Sequence, residues 1–307
     1  MQVWKIKIEH MEERRISVAD FSFSVTGEPF VSFIDRSSAF KDFFTDRTPD
    51  FALRADLDES RICASEAYVS RVICYEISFE GIDCSYGKAG EMIYFDMKSP
   101  DRKSVLILLW KPGASVVDCT SGKYSPSMTR FGMWMALNML CITRNCAAIH
   151  SSVNVCGGKA AMFLGESGTG KSTHTRLLRE RYPDMFLLND DSPFVRVGED
   201  GSVMVYGSPW SGKTPCYRQE KFPLKAMVRL SQAPYNRITR LSALQSIGAL
   251  LPSAPPAFNY VDETSDMVCN FVSDVVSAVS LYHLECLPDY AAADLTYRTV
   301  FEDGGKD

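Results

Sequence analysis

The chain has 307 residues, 46% of them hydrophobic and 23% charged, with a net charge of −5. That composition is globular and long enough for one large domain or two, and the acidic balance argues against a nucleic-acid-binding surface. No apolar run approaches the ~18 residues of a membrane span, and the ten scattered cysteines form no C-x-x-C pair, so they read as free buried thiols.

The N-terminus alternates apolar residues from Val3 to Ile8 without a secretory apolar core, which predicts a first strand and a cytoplasmic location. Further short runs at Phe21 to Val25, Phe30 to Ile34, Val69 to Phe79, Met92 to Phe95 and Val105 to Trp110 predict strands. Turn residues such as Gly27-Glu28-Pro29, Gly81-Ile82-Asp83 and Lys111-Pro112-Gly113 separate them. Between Arg36 and Asp50, Phe40, Phe43 and Phe44 fall at helix-like spacing, and we read them as a core-facing stripe. No catalytic constellation occurs here. Residues 1–122 are therefore assigned as a β-rich region for recognition of a substrate or partner, or for assembly into homo-oligomers.

Ser121 to Ser127 reads as a junction, followed by a helix over Met128 to Cys141 that is apolar on nearly every side and so buried. Residues 123–307 then alternate strand and helix signals, an α/β pattern. Ala147 to Val155 predicts a strand carrying His150, and Gly157-Gly158 turns it into the apolar run Ala160 to Leu164. Next comes Gly165-Glu166-Ser167-Gly168-Thr169-Gly170-Lys171-Ser172, which fits the P-loop pattern G-x-x-x-x-G-K-[ST], with Thr173 opening the helix behind it. Glycines there allow positive φ and let backbone amides crowd a phosphate, while the helix adds its positive end. Lys171 would meet the β- and γ-phosphates of ATP, and Ser172 would hold Mg²⁺.

Met185 to Leu188 is an apolar strand that ends in Asn189-Asp190-Asp191. One carboxylate at such a strand end can hold Mg²⁺ and the other can accept a proton from an attacking hydroxyl. We assign Asp190 to the metal beside Ser172; spacing by itself leaves the two roles interchangeable.

Phe194 to Val197 and Val203 to Tyr206 predict a hairpin. Gly207-Ser208-Pro209-Trp210-Ser211-Gly212-Lys213-Thr214 then matches the same P-loop pattern again. It is rejected as a phosphate loop: Pro209 lacks an amide hydrogen, Trp210 is bulky for close backbone approach, and no helical period follows. Its Ser211, Lys213 and Thr214, with Arg218, are kept as a candidate loop for the substrate or the γ-phosphate, against the alternative that it packs Trp210. Leu224 to Leu230 and Ser280 to Cys286 predict strands, and Ser242 to Leu251, Thr264 to Val279 and Tyr290 to Val300 predict helices. Arg229 and Arg240 default to solvated surface, and His174 and His283 are set aside as non-catalytic.

In their order, His150-Ser151-Ser152, Gly165 to Ser172 and Leu188 to Asp191 resemble the motifs of the HPr serine kinase/phosphorylase catalytic domain, whose fold is shared with ATP-dependent phosphoenolpyruvate carboxykinases. The resemblance covers about residues 125–300. It implies a P-loop kinase fold, ATP and Mg²⁺, and a proton-transfer centre of His150, Asp190 and Asp191 acting on a serine hydroxyl. Ser151 and Thr173 stand where that family usually has Gly and Glu, and its later arginine- and glycine-rich signature is not recognisable. The chain looks closer to divergent serine-kinase relatives whose acceptors are proteins, peptides or small molecules. A non-catalytic ATP-sensing regulator and a carboxykinase-like enzyme are the alternatives.

Overall fold

The structure is a computed structural model, and it describes residues 12–212 and 214–302. The expected first strand at Val3 to Ile8 and the candidate Lys213 lie outside the described residues. The fold is mixed α/β with two sheets and a β-rich N-terminal region. It divides into two compact units, one running up to Arg144 and including Ala257–Met267, the other Asn145–Pro256 and the chain from Val268.

The first unit contains β1 (Glu13–Val18), β2 (Phe21–Thr26), α1 (Phe30–Arg36), β3 (Phe51–Leu57), α2 (Glu59–Cys63), α3 (Glu66–Val69), β4 (Val72–Phe79), β5 (Ile82–Ala89), β6 (Met92–Lys98), β7 (Val105–Trp110), β8 (Val116–Thr120) and α4 (Pro126–Cys141). Among the described residues its sheet has eight strands in the order β1-β2-β3-β8-β7-β6-β5-β4. Four of those strands, β1, β3, β5 and β8, fall outside the runs expected from the sequence. The run Phe30 to Ile34, expected as a strand, is helix α1: its buried residues are Phe30, Val31 and Ile34, an i, i+1, i+4 stripe that a five-residue apolar run does not distinguish from a strand. Phe40 and Phe43 are buried at 1% and 0% exposure whereas Phe44 is 48% exposed, because a 3-10 segment over Ser38–Phe43 turns two of the three rings inward.

Helix α4 starts where Ser125 accepts a hydrogen bond from the Met128 amide, with Pro126 in its first turn. Its Gly132 lies against Leu106 and Met97, whose side chains a Cβ there would meet at 3.1 Å. The helix is thus buried as predicted. It belongs to the first compact unit, so the division falls after Arg144 and not near residue 122.

The second unit contains β9 (Cys146–Ala148), β10 (Ser151–Cys156), β11 (Lys159–Leu164), α5 (Lys171–Arg181), β12 (Phe186–Asp191), β13 (Phe194–Val197), β14 (Val203–Tyr206), β15 (Lys221–Gln232), β16 (Arg237–Arg240), α6 (Ala243–Leu250), the end of α7 (Asp262–Ala278), β17 (Ser280–Cys286) and α8 (Tyr290–Tyr297). The sheet runs β12-β10-β11-β15-β14-β13-β9, with β17 also paired to β15 and β16 to β17. Strand β15 joins its two parts: Lys221 to Pro223 pair with β14, and the residues beyond pair in parallel with β11 and β17.

One face of the central strands packs on α5 and α8. Phe163, Leu177, Leu178, Val228, Leu230 and Leu284 form that core, and each buried side chain of this size contributes roughly 1.5–3 kcal/mol. Helix α5 stops at Arg181 because Tyr182 is extended, as a residue before a proline, here Pro183, is biased to be. The core thereby holds rigid the strand that enters the glycine loop and the helix that leaves it.

Candidate functional site

The loop Gly165 to Ser172 joins β11 to α5. Gly165, Gly168 and Gly170 have φ of 148°, 84° and 101°, values that favour glycine. Gly165 is further constrained by space, since a Cβ would sit 2.6 Å from the Thr169 hydroxyl. Gly170 is the N-cap of α5 and offers no side-chain cap, so the first amides of the helix, which have no intrahelical acceptor, are left for another acceptor. Thr169 ties the loop to itself through the Glu166 carbonyl at 2.8 Å.

Lys171 reaches back across the loop. Its Nζ lies 2.6 Å from the Gly165 carbonyl, 3.0 Å from the Glu166 carbonyl and 3.3 Å from His150 Nε2, three acceptors for three ammonium donors. Burial depresses its pKa below the usual lysine value, opposed by Asp190 and Asp191, while Arg229 adds to the depression.

His150 lies between the two charges. Its Nδ1 is 3.3 Å from Asp191 Oδ1, which suits a hydrogen on Nδ1 directed at Asp191, with Nε2 facing Lys171. The expectation that His150 sits inside a strand is corrected. The run Ala147 to Val155 is broken at Ile149-His150 into β9, which pairs with β13, and β10, which pairs with β11 and β12. The break is fixed by the His150 amide, which donates to the Ser253 carbonyl at 2.7 Å, and it leaves the imidazole at the sheet edge of the cleft.

Both aspartates end β12. Asp190 is 7% exposed, and the Ser172 hydroxyl lies 3.3 and 3.4 Å from its two oxygens. Asp191 faces His150 instead, so adjacent carboxylates serve opposite sides of the cleft. Asn189 anchors them: fully buried, it donates to the Trp210 carbonyl at 3.0 Å and accepts from the Ser192 amide at 3.0 Å. A cleft of about 440 Å³ is lined by His150, Ser151, Ser167, Gly168, Gly170, Lys171, Ser172, Thr173, Asp190, Asp191 and Gly212. Ser151, quoted above only as a departure from the family pattern, and Gly212, of the second pattern match, reach the cleft because β10 and the later loop pair with β12.

The second pattern match is a brace. Ser211 is buried, donates to the Thr214 carbonyl at 2.6 Å and accepts from the Cys216 amide at 3.1 Å. Gly212 donates its amide to the Asp190 carbonyl at 2.5 Å, and Trp210 is buried at 2% exposure. Thr214 is exposed. Arg218 pairs with Glu220 at 3.2 Å and stacks over Phe186 at 5.0 Å. Among the described residues of this segment, only Gly212 borders the cleft.

A second cavity of about 570 Å³ adjoins the loop, sharing Gly168, Gly170 and Thr173 and otherwise walled largely by Leu230, Ala233, Pro234, Leu287 and Pro288. His174 also borders it, but its imidazole is 3% exposed, sits 3.0 Å from the Thr296 hydroxyl, and has its pKa lowered to about 4 by burial. Among the described residues no three His, Cys, Asp or Glu side chains cluster as a metal site. The Ser172 and Asp190 oxygens fit Mg²⁺ only with further oxygens from phosphate and water, the usual way that ion is held.

No family model matches the chain, and no curated protein does. Among solved structures, that of the Hpr(Ser) kinase/phosphatase from Coxiella burnetii is similar over 51% of this chain and 94% of that one, at 11% identity and a TM-score of 0.29. At that score the likeness fixes neither fold family nor function. Among the described residues no helix is long and apolar enough to cross a membrane.

Proposed function

We propose that this chain is an ATP- and Mg²⁺-dependent phosphotransferase acting on a hydroxyl, with serine in a protein, peptide or small molecule as the acceptor class. The observation that carries the reading is the pairing of the two aspartates with different partners, Asp190 with Ser172 and Asp191 with His150. A loop that only binds phosphate has no use for the second pair.

In this reading the loop amides and Lys171 take the phosphates, with Lys171 exchanging backbone carbonyls for phosphate oxygens. The largely apolar cavity beside Thr173 suits the nucleotide base. Mg²⁺ would be held by Ser172 and Asp190 and would neutralise charge on the β- and γ-phosphates. Asp191 accepts the proton of the acceptor hydroxyl as that oxygen bonds to the terminal phosphorus. The bond to the β–γ bridging oxygen breaks, and ADP leaves. His150, its Nδ1–H directed at Asp191, orients that carboxylate toward the acceptor.

Thermal unfolding with and without ATP–Mg²⁺ tests the first step. At 100 times Kd the ligand stabilises by about 2.7 kcal/mol, so the parent melts higher and Lys171→Ala does not respond. No shift in the parent, or an equal shift in the variant, rejects nucleotide binding at this loop. Transfer of γ-labelled phosphate to acceptors in a cell extract by the parent, and its absence with Asp191→Asn, tests the second step. Full biological activity in an Asp191→Asn protein that still binds ATP would favour a nucleotide-sensing regulator.

A further inference from the structure

We infer that Arg229 binds the terminal phosphoryl group of the nucleotide, an assignment that rests on the phosphotransferase reading. Arg229 lies in β15, in register with Leu164, the last residue of β11 before the glycine loop, and with His283 of β17. Its neighbours Val228 and Leu230 point into the core against α5. Alternation along the strand therefore sends Arg229 to the opposite face, where its Nη1 donates to the Ala249 carbonyl of α6 at 3.1 Å.

That carbonyl is its hydrogen-bond partner among the described residues. The side chain is half-buried. A guanidinium has five donors, so most of its hydrogen-bonding capacity is unspent in a place where water is reduced. A partly desolvated cation of this kind is completed by an anion. Arg229 is in register with Leu164, and the carbonyl of the next residue, Gly165, takes the Lys171 ammonium at 2.6 Å, so the two cations share one region beside the loop. Two positive groups there suit a ligand group that carries more than one negative charge. The terminal phosphoryl, the part of the nucleotide nearest the end of Lys171, is that ligand. The bond to Ala249 sets the guanidinium in place before the ligand arrives, which lowers the ordering cost of binding.

The discriminating measurement is equilibrium binding of fluorescent N-methylanthraniloyl ATP and ADP, each with Mg²⁺, to the parent, Arg229→Gln and Arg229→Lys. Loss of a charge-assisted contact to the terminal phosphoryl lowers ATP affinity by about 10- to 100-fold. ADP affinity stays within about twofold, and Arg229→Lys recovers part of the loss. Circular dichroism melts of both variants establish that they fold. Equal losses for ATP and ADP would show that Arg229 acts only through its packing on α6, and unchanged binding of both would exclude contact; either overturns the assignment. A parent that binds neither nucleotide removes the phosphotransferase reading itself.

Discussion

Asp191 and Ser211 form an isolated antiparallel bridge, and across it Asp191 holds a φ of 148°. A non-glycine residue in that region costs on the order of 1–3 kcal/mol and persists only where its surroundings over-determine it. Here they do. The Ser211 and Gly212 backbone is pinned to the end of β12 by the bridge and by the bond from the Gly212 amide to the Asp190 carbonyl. A segment that repeats the phosphate-loop pattern in sequence thus works as a clamp that turns two consecutive carboxylates apart.

The two copies of the pattern separate under glycine substitution. A Cβ on Gly207 would lie 2.0 Å from the Arg218 carbonyl oxygen, whereas one on Gly168 meets nothing within 4 Å. Gly207→Ala therefore forces backbone apart and is expected to destabilise by about 3 kcal/mol or more. Gly168→Ala pays only for its φ of 84°, on the order of 1 kcal/mol, and loses nucleotide response. Urea denaturation of both variants, alongside ATP-induced thermal shifts, checks this ordering; equal stabilities would show that the later loop is not the close-packed brace described.

The aspartates are expected to fail differently. With Asp191→Asn, transfer to the acceptor falls by about 100-fold or more, the range for loss of a general base, while nucleotide affinity stays within about threefold. With Asp190→Asn, the Mg²⁺ concentration for half-maximal nucleotide binding rises, because one of its two protein oxygens has become a neutral amide. Titration of Mg²⁺ against nucleotide binding and single-turnover transfer separate the two. Identical profiles for both variants would merge the roles assigned to them.

The candidate site was more legible in the sequence than the architecture around it. Gly165 to Ser172 and Asp190-Asp191 are legible because their chemistry is local: a turn that needs glycines, a helix start, a strand end. Strands β10, β11, β12 and β17 are legible too, since apolar runs bounded by turn signals belong to buried strands. Three features depend on pairing between distant segments and leave no local trace. The break at Ile149-His150 is made by the Ser253 carbonyl, roughly a hundred residues on. The use of Ser211 and Gly212 as a clamp depends on β12. Arg229, by default a surface arginine, becomes half-buried because the register of β15 with β11 places it at the base of the loop. In the first unit, α1 was hidden by a five-residue apolar run; β3 and β5 were missed although Phe51, Leu53, Ala55 and Leu57 alternate with more polar residues, as do Ile82, Cys84 and Tyr86, and β1 and β8 are short runs without a clear period.

The last expectation concerns stability and comes from His174. Its imidazole is packed against Phe163, with ring centroids 5.4 Å apart. Nδ1 has no hydrogen-bond partner, and burial lowers the pKa from 6.5 to about 4. The unfolded chain accepts a proton as pH falls through 6.5, but the folded protein refuses it until about pH 4. The unfolded state therefore binds more protons across that window, and stability decreases as pH falls. The contribution is complete above the unfolded value, is lost progressively between the two, and has no further slope below about pH 4. The size is about 3 kcal/mol over the whole window, at 1.36 kcal/mol per pKa unit. His174→Gln keeps a group able to bond the Thr296 hydroxyl and removes the titration. Urea denaturation at pH 7, 6, 5 and 4.5 is expected to show the parent losing stability more steeply than the variant, so that the gap between them changes by about 2–3 kcal/mol over this range. Parallel pH profiles would mean that His174 is protonated in the folded protein, and that the core beneath the glycine loop admits a charge.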